Sequence, residues 1–235
     1  MLHYFLDEPS IRIDTVLVDT GSANTWIGAS KPYLPTRTSL DTGETFVSVR
    51  GPYLLFTLAT CFQSLTYGDG QTVEGDEYQD TVTVSPNLII DGSYIGVAFA
   101  ADLPAGVDGI LGLGPATLSE GKVTNLGVIP TVLDGLYGQG QITDAKFGVF
   151  FPPASAADNT GELSFGGYDT SKISGQLNEV DITSVTPSSR YWGIEQSINY
   201  GNTMILDVAA GIIDTGTTLI LIATGMHLVY LNDSE

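Results

Sequence analysis

The chain has 235 residues, of which 43% are apolar and 15% are charged, and its 8 Lys and Arg against 27 Asp and Glu give a net charge of −19. That length and apolar content suffice for a hydrophobic core, and they exclude a coiled coil or a disordered acidic tail. Because the cations are so few, the chain cannot neutralise a run of phosphates or hold an anionic membrane surface, so we expect no nucleic-acid or membrane partner.

Short β-rich runs recur every ten to fifteen residues and are separated by Gly, Asn, Asp and Pro, a pattern that predicts a mainly β fold. In chain order, the predicted strands are residues 15–18, 81–84, 88–90, 95–99, 147–151, 162–165 and 179–182. Polar and apolar side chains alternate with period two along residues 77–84, as expected for a strand with one solvated face. Residues 131–137 are the clearest candidate for a short helix, and the glycine content argues against a long one.

Cysteine and histidine are scarce. Cys61 is the single cysteine, and His3 and His227 are the two histidines. One cysteine allows no disulfide within the chain, and three such residues are too few for a zinc or iron–sulfur site. A metal site made of carboxylates alone stays open at this point.

The start of the chain, MLHYFLDEPS, has no basic region, no continuous apolar core and no small-residue cleavage site. We therefore expect no signal peptide in this chain, so that the protein is either cytosolic or lacks its true N-terminus. The longest apolar runs are shorter than the roughly 18 residues needed to cross a bilayer, so we expect no transmembrane segment.

Two distant segments share one pattern, in which an apolar strand leads into Asp-Thr-Gly and a hydroxyl residue. They are VLVDTGS at 16–22 and GIIDTGT at 211–217. Glycine permits close backbone approach in such a turn, and threonine can lock the turn by hydrogen bonding. If Asp19 and Asp214 meet, they cannot both ionise, so the pair shares one proton, and one carboxyl is base while the other is acid. Two unrelated turns with capping Asp side chains are the alternative.

A third Asp-Thr-Gly, at 41–43, lacks the apolar lead, and we predict that it forms only a hairpin turn.

Six motifs in order along the chain resemble those of the pepsin-like aspartic peptidases, most closely the secreted fungal branch. They are DTGSANTW at 19–26, YGDG at 67–70, VDGILGLG at 107–114, GELSFGGYD at 161–169, YWGI at 191–194 and AGIIDTGTT at 210–218. The resemblance implies a mainly β, bilobal, pepsin-like β-barrel fold. Residues 1–175 would form a complete first lobe with the first catalytic Asp and the flap, and residues 176–235 an incomplete second lobe with the second.

The resemblance also implies a role for each residue of the two repeated turns. Asp19 and Asp214 would be the catalytic pair that activates water for attack on a peptide carbonyl. Ser22 and Thr217 would hydrogen-bond the outer carboxylate oxygens. Thr20 and Thr215 would tie the two turns together, and Gly21 and Gly216 would leave room for water and substrate. No metal and no organic cofactor is implied.

A flap that covers the substrate is implied as well. Tyr67, Gly68 and Asp69 would form its tip, and Trp26 would pair with the Tyr67 hydroxyl, a contact that suits two amphipathic side chains. Alternatively, Tyr67 and Trp26 are ordinary core aromatics, and Asp69 merely fills a turn.

The implied function is hydrolysis of peptide bonds at acid pH, with a protein or peptide as substrate, a monomeric enzyme and secretion. An inactive truncated homologue, or a peptide-binding fragment without turnover, is the alternative, because the resemblance ends at residue 224 and strands behind the second aspartate are missing. A two-carboxylate glycosidase on a β scaffold would also explain paired acids.

Residues 47–63, VSVRGPYLLFTLATCFQ, interrupt the strand that should run into the flap, and residues 1–14 do not resemble the N-terminal strands of the family. Without 47–63, TGETF at 42–46 joins SLTY at 64–67 as one alternating strand. Val-Ser at the start of this segment can be encoded as GTAAGT and Gln at its end as CAG, which are the sequences at the two ends of an intron. We therefore hypothesise that residues 47–63 are a non-family insertion that derives from a retained intron. A real apolar insertion in a surface loop is the alternative.

Overall fold

The computed structural model describes residues 2–6, 12–49, 72–153, 155, 160–217 and 220–221. Within these ranges the chain forms eleven β-strands and one α-helix, which confirms the prediction of a mainly β fold. In chain order the elements are β1 (Leu2–Leu6), β2 (Arg12–Asp19), β3 (Trp26–Ile27), β4 (Leu40–Val49), β5 (Thr72–Ser85), β6 (Leu88–Ala100), β7 (Gly109–Gly112), α1 (Val132–Gly138), β8 (Phe147–Phe150), β9 (Glu162–Phe165), β10 (Gly193–Tyr200) and β11 (Thr203–Ile212). Among the described residues, no helix has the length and apolar character that a membrane crossing requires.

Seven strands form one large sheet in the order β1-β2-β7-β3-β6-β5-β4. Most neighbours are antiparallel, but β2 and β7 run parallel, as do β3 and β6. Val16, Ile110 and Leu111 are fully buried in the core. Because β2 has a hydrogen-bonded strand on each side, its last residue, Asp19, is delivered at a fixed place in the sheet.

The remaining strands form two small antiparallel sheets, β8 with β9 and β10 with β11. The second of these ends at Ile212, two residues before Asp214. The predicted boundary between the lobes, near residue 175, falls between β9 and β10 and stays a prediction.

Most of the predicted strands are confirmed: β2, β5 and β6 are longer than predicted, β9 has the predicted bounds, and β8 ends one residue earlier. Residues 88–90 and 95–99, predicted as two strands, belong to the single strand β6. Residues 179–182 form no strand, so that prediction is wrong. Val180 and Ile182 are 70% and 50% exposed, and no described strand pairs with this segment. Apolar residues alone do not make a strand when no partner edge is present.

The predicted helix is confirmed as α1, one residue later than expected. Thr131 caps its N-terminus, because its hydroxyl accepts from the Asp134 amide while the Asp134 carboxylate accepts from the Thr131 amide. Val132, Leu133 and Leu136 are buried, so the short helix is held by its apolar face.

The third Asp-Thr-Gly lies inside β4, where it forms a β-bulge rather than the predicted hairpin turn. The register with β5 shifts between Asp41 and Glu44. The Asp41 carboxylate accepts from the Gly43 amide, and Gly43 has a φ of 72°, so a tight local turn is present although no hairpin forms. Because β4 pairs with β5 both before and after these residues, the turn forms a β-bulge within one strand.

Part of the predicted insertion also belongs to β4. Residues 47–49 extend that strand and pair with residues 72–74 of β5. The rest of the insertion, including Cys61, and the predicted flap residues 67–69 lie outside the described residues. The retained-intron hypothesis and the flap assignment therefore stay predictions.

The Glu77 carboxyl is buried in the large sheet. Its residue is 1% exposed and lies opposite Glu44 on β4 and Gly96 on β6. Neither of its oxygens has a hydrogen-bond partner among the residues that the structure describes. Burial raises the pKa of Glu77 to about 8, because an unpaired charge is strongly disfavoured there.

In the unfolded chain Glu77 titrates near its ordinary pKa of about 4.3. Between that value and the raised one, the folded chain holds a proton that the unfolded chain has lost. The free energy of unfolding therefore falls as the pH rises through this window, and the effect is absent below it.

We expect Glu77→Leu to raise the free energy of unfolding by roughly 3 kcal/mol at pH 7.5, and by far less at pH 4, because the substitution removes this titration. Urea unfolding at the two pH values measures the difference. Glu74→Gln, at an exposed position of the same strand, is the matched control and should leave the pH dependence unchanged. If Glu77→Leu loses as much stability between pH 4 and 7.5 as the parent chain, the Glu77 account is wrong.

Candidate active site

Asp19 lies at the end of β2 and is 4% exposed. Its main-chain carbonyl accepts from the Leu113 amide at 2.8 Å, just beyond β7. Its carboxylate accepts from the Gly21 amide at 2.9 Å and from the Ser22 hydroxyl at 2.6 Å. The turn thus holds both carboxylate oxygens and fixes the orientation of the side chain.

Asp214 follows β11 and has the same local geometry. Its carboxylate accepts from the Gly216 amide at 2.9 Å and from the Thr217 hydroxyl at 2.6 Å. These distances equal those in the first turn, so the two turns are related by a local pseudo-twofold axis. The repeated sequence therefore produces a repeated structure.

The two turns are joined by reciprocal threonine contacts. The Thr20 hydroxyl accepts from the Thr215 amide at 3.0 Å and donates to the Ile213 carbonyl at 2.8 Å. In return, the Thr215 hydroxyl accepts from the Thr20 amide at 3.1 Å and donates to the Val18 carbonyl at 2.7 Å. Four hydrogen bonds thus connect segments about 195 residues apart in the chain.

The two aspartate carboxyls lie close together, because a Cβ atom at Gly216 would contact an oxygen of each. Burial and the nearby charge of Asp214 raise the pKa of Asp19 to about 6, against the lowering effect of the Ser22 and Gly21 hydrogen bonds. Two carboxylates this close cannot both carry a charge at low cost, so they share one proton. The pair can therefore supply an acid and a base at the same time.

Both turn glycines lie directly against the carboxyl groups. A Cβ atom at Gly21 would lie 2.6 Å from the carboxyl carbon of Asp214, and one at Gly216 would contact the Asp19 carboxylate. A side chain at either position would therefore push the pair apart. Glycine is required here by space rather than by backbone conformation.

Trp26 lies in β3, is 1% exposed and packs beside Phe46 with ring centroids 6.5 Å apart. Its Nε1 has no hydrogen-bond partner within the described ranges. The predicted partner, Tyr67, lies outside them, so the pairing of Trp26 with the flap stays a prediction. The described part of the chain contains no group of three or more His, Cys, Asp or Glu placed to hold a metal ion.

Two further residues near the pair were quoted in the sequence only as part of a strand motif. Burial raises the pKa of Tyr191, against the lowering effect of Arg190, and the charges of Asp214 and Asp19 add to the rise. The Trp192 indole donates to the Leu113 carbonyl at 2.8 Å. The YWGI motif was the available signal, but it does not indicate these contacts.

The eukaryotic aspartyl protease family model matches residues 11–232. The chain belongs to this family. Over 220 residues it is 44% identical to polyporopepsin of Irpex lacteus, and the aligned region covers 92% of this chain and 59% of polyporopepsin. Over 166 residues it is 36% identical to rhizopuspepsin-1 of Rhizopus niveus, and the aligned region covers 68% of this chain and 39% of that protein.

The crystal structure of the aspartic proteinase from Irpex lacteus matches with a TM-score of 0.86 and 40% identity, over 99% of this chain and 64% of that one. The predicted family and the mainly β, pepsin-like fold are thereby confirmed. Since the family match runs to residue 232, the expectation that the resemblance ends at 224 is corrected. The chain spans about two fifths to three fifths of the length of the two relatives given above.

We expect Gly21→Ala to lower the free energy of unfolding by about 1–3 kcal/mol, because the methyl group would overlap the Asp214 carboxyl. Chemical denaturation measures the loss. Gly127→Ala is the matched control, since a Cβ there meets nothing within 4 Å. Equal stability of the two variants would show that the carboxyl pair is not packed as described.

Proposed function

We propose that this chain supplies the catalytic pair of an acid endopeptidase, in which Asp19 and Asp214 activate a water molecule. The single observation that carries the proposal is the closely spaced carboxyl pair, held by matching turns with matching distances. Membership of the aspartyl protease family supports it.

The proposed reaction uses the one shared proton. The ionised carboxylate takes a proton from water as the water oxygen attacks the peptide carbonyl carbon, and the protonated carboxyl donates to the carbonyl oxygen. The tetrahedral intermediate, which carries two hydroxyls, then collapses: one hydroxyl returns its proton to the ionised carboxylate as the C–N bond breaks, and the protonated carboxyl donates its proton to the leaving nitrogen. The pair returns to its singly protonated state, so no covalent enzyme intermediate is needed.

This chemistry requires the pair to carry one proton, so activity should fall as the pH rises above the raised pKa of about 6 at Asp19. It should also fall at very low pH, where both carboxyls are protonated. An acid working range follows from the burial and mutual repulsion of the pair.

The supporting residues of the two turns take the following roles in this proposal. Ser22 and Thr217 orient the outer carboxylate oxygens, Thr20 and Thr215 hold the turns together, and Gly21 and Gly216 admit water and substrate. Tyr67, Gly68 and Asp69 cover the bound peptide, with Trp26 behind them. We further propose a protein or peptide substrate, a monomer, and secretion.

A second candidate function is peptide binding without turnover. Large apolar side chains are exposed around the second small sheet, with Val208 at 68%, Met204 at 55% and Ile220 at 85%. A two-stranded sheet is only marginally stable when nothing packs on it. The Irpex lacteus structure extends well beyond the part that matches this chain. A chain with this surface uncovered would hold Asp214 less firmly.

The test uses this chain and an extended chain, in which the C-terminal part of polyporopepsin that follows the matched region is joined to it. Both are assayed for casein cleavage near pH 3.5, with residues 47–63 present and deleted. We expect turnover from an extended chain and its loss, by at least a thousandfold, in Asp19→Asn, because an amide can neither share the proton nor accept one from water.

Asp41→Asn is the matched control, since Asp41 belongs to an Asp-Thr-Gly on an exposed bulge. That variant should keep full activity. Normal turnover in Asp19→Asn would reject the proposed mechanism. Binding of a peptide without cleavage by every version of the chain would favour the second candidate.

A further inference from the structure

Trp192 connects the two aspartates through main-chain contacts. Its carbonyl accepts from the amide of Ile213 at 3.0 Å, and Ile213 directly precedes Asp214. Trp192 also directly precedes β10, whose first residue, Gly193, pairs with Ile212. Its backbone is therefore held to the segment that carries the second aspartate.

The side chain of Trp192 reaches the part of the chain that holds the first aspartate. Its indole N–H donates to the Leu113 carbonyl at 2.8 Å, across 79 residues of sequence. Leu113 is 1% exposed, and its own amide donates to the main-chain carbonyl of Asp19 at 2.8 Å. Three hydrogen bonds in series thus run from Asp19 through Leu113 and Trp192 to the residue before Asp214.

The orientation of the indole is fixed by packing. Its ring meets that of Phe147, on β8, edge to face, with centroids 5.8 Å apart and an interplanar angle of 71°. Such a contact restricts the rotamers of both rings and keeps the N–H directed at Leu113. The hydrogen bond is therefore preorganised by a neighbour that does not itself contact the aspartates.

The threonine contacts join the two turns at one place, where Thr20 meets Thr215. Two bodies that are joined at a single place can still rotate about it. The link from Trp192 to Leu113 joins different residues and supplies a second point of attachment. Carboxyl pairs need positions held to within about 0.5 Å, so the second attachment matters for catalysis.

We propose that Trp192 is a positioning residue for the Asp19 and Asp214 pair, acting through its indole hydrogen bond to Leu113. The proposal rests on the proposed function for its kinetic consequence. The effect of Trp192 on the spacing of the two carboxyls can be measured even if the chain has no turnover.

Loss of the indole N–H should let the carboxyls move apart. Their mutual repulsion then weakens, so the pKa of Asp19 falls toward its ordinary value. Among the described residues, the ionisable side chains that face this region include Tyr191, whose pKa is raised by the charges of both aspartates, and Arg190, whose charge acts on Tyr191. Both remain in the variants below, so a change in titration reports the spacing of the pair.

The test compares Trp192→Phe with the parent in the extended chain defined above. We expect kcat to fall about tenfold while KM stays within twofold, because the interaction affects the reacting carboxyls and not the binding of substrate. The upper limb of the pH profile of kcat should move to lower pH by at least half a unit. An unchanged pH profile with unchanged kcat would overturn the proposal.

Two further variants separate positioning from packing. Phe147→Leu removes the ring that orients the indole but leaves the donor in place, so it should lower the melting temperature and move the pH profile by much less than Trp192→Phe does. Site-specific 3-benzothienylalanine at position 192 keeps the bicyclic shape and replaces the N–H with sulfur, so it should behave as Trp192→Phe. If the benzothienyl variant matches the parent, or if Phe147→Leu moves the profile equally, Trp192 acts through packing and the proposal is wrong.

The same question can be decided if the extended chain has no turnover. Carboxyl-carbon NMR of aspartate-labelled protein then follows the Asp19 titration in the 235-residue chain. A lower apparent pKa in Trp192→Phe than in the parent supports positioning even though the proposed function has failed. Identical titrations overturn the positioning role whatever the activity.

Discussion

The structure depends on one reciprocal contact, in which Thr20 and Thr215 exchange hydrogen bonds across the two halves of the chain. Each hydroxyl accepts from the partner threonine's amide and donates to the carbonyl one residue before the partner aspartate. Because these bonds are partly buried, breaking one leaves polar groups that water replaces only in part. The spacing of the two aspartates is therefore set by the backbone of both turns rather than by the side chains alone.

The electrostatics of the pair follow from this spacing. Two carboxyls brought together in a dry site cannot both ionise, and the raised pKa of Asp19 expresses that conflict. The hydrogen bonds from Ser22 and Gly21 act in the opposite direction and favour the charged form. The result is a pair that keeps one proton over a wide acid range. Glu77 illustrates the other extreme, since its carboxyl has no donor among the described residues and its neutral form is favoured to higher pH.

The paired aspartates could be predicted because a local pattern is repeated. Asp19 and Asp214 both follow an apolar strand and precede a glycine and a hydroxyl residue, and these local features produce matching turns. The same tripeptide at Asp41 was separated correctly from the site by its lack of an apolar lead. Its placement within a strand was not predicted, because pairing with β5 overrides the preference of a local turn.

The features that sequence reasoning missed all depend on contacts between distant residues. The link from Trp192 to Leu113 spans 79 residues and leaves no periodic signal. The burial of Glu77 depends on the strands on either side of β5, whereas its polar side chain alone would favour an exposed position. Residues 179–182 alternate between acidic and apolar side chains as a strand does, but they lack a described partner strand. Local pattern thus predicted the chemistry of the pair, whereas its support had to be seen in the fold.

The shared proton is the central claim, and titration of the two carboxyls tests it most directly. Carbon NMR of aspartate-labelled chain, with the resonances assigned by Asp19→Asn, follows both groups between pH 2 and 8. The account predicts two coupled steps, with the upper one near the pKa of about 6 at Asp19, and a single step for Asp214 once Asp19 is an amide. Two independent titrations near the ordinary aspartate pKa of about 3.9 would contradict it.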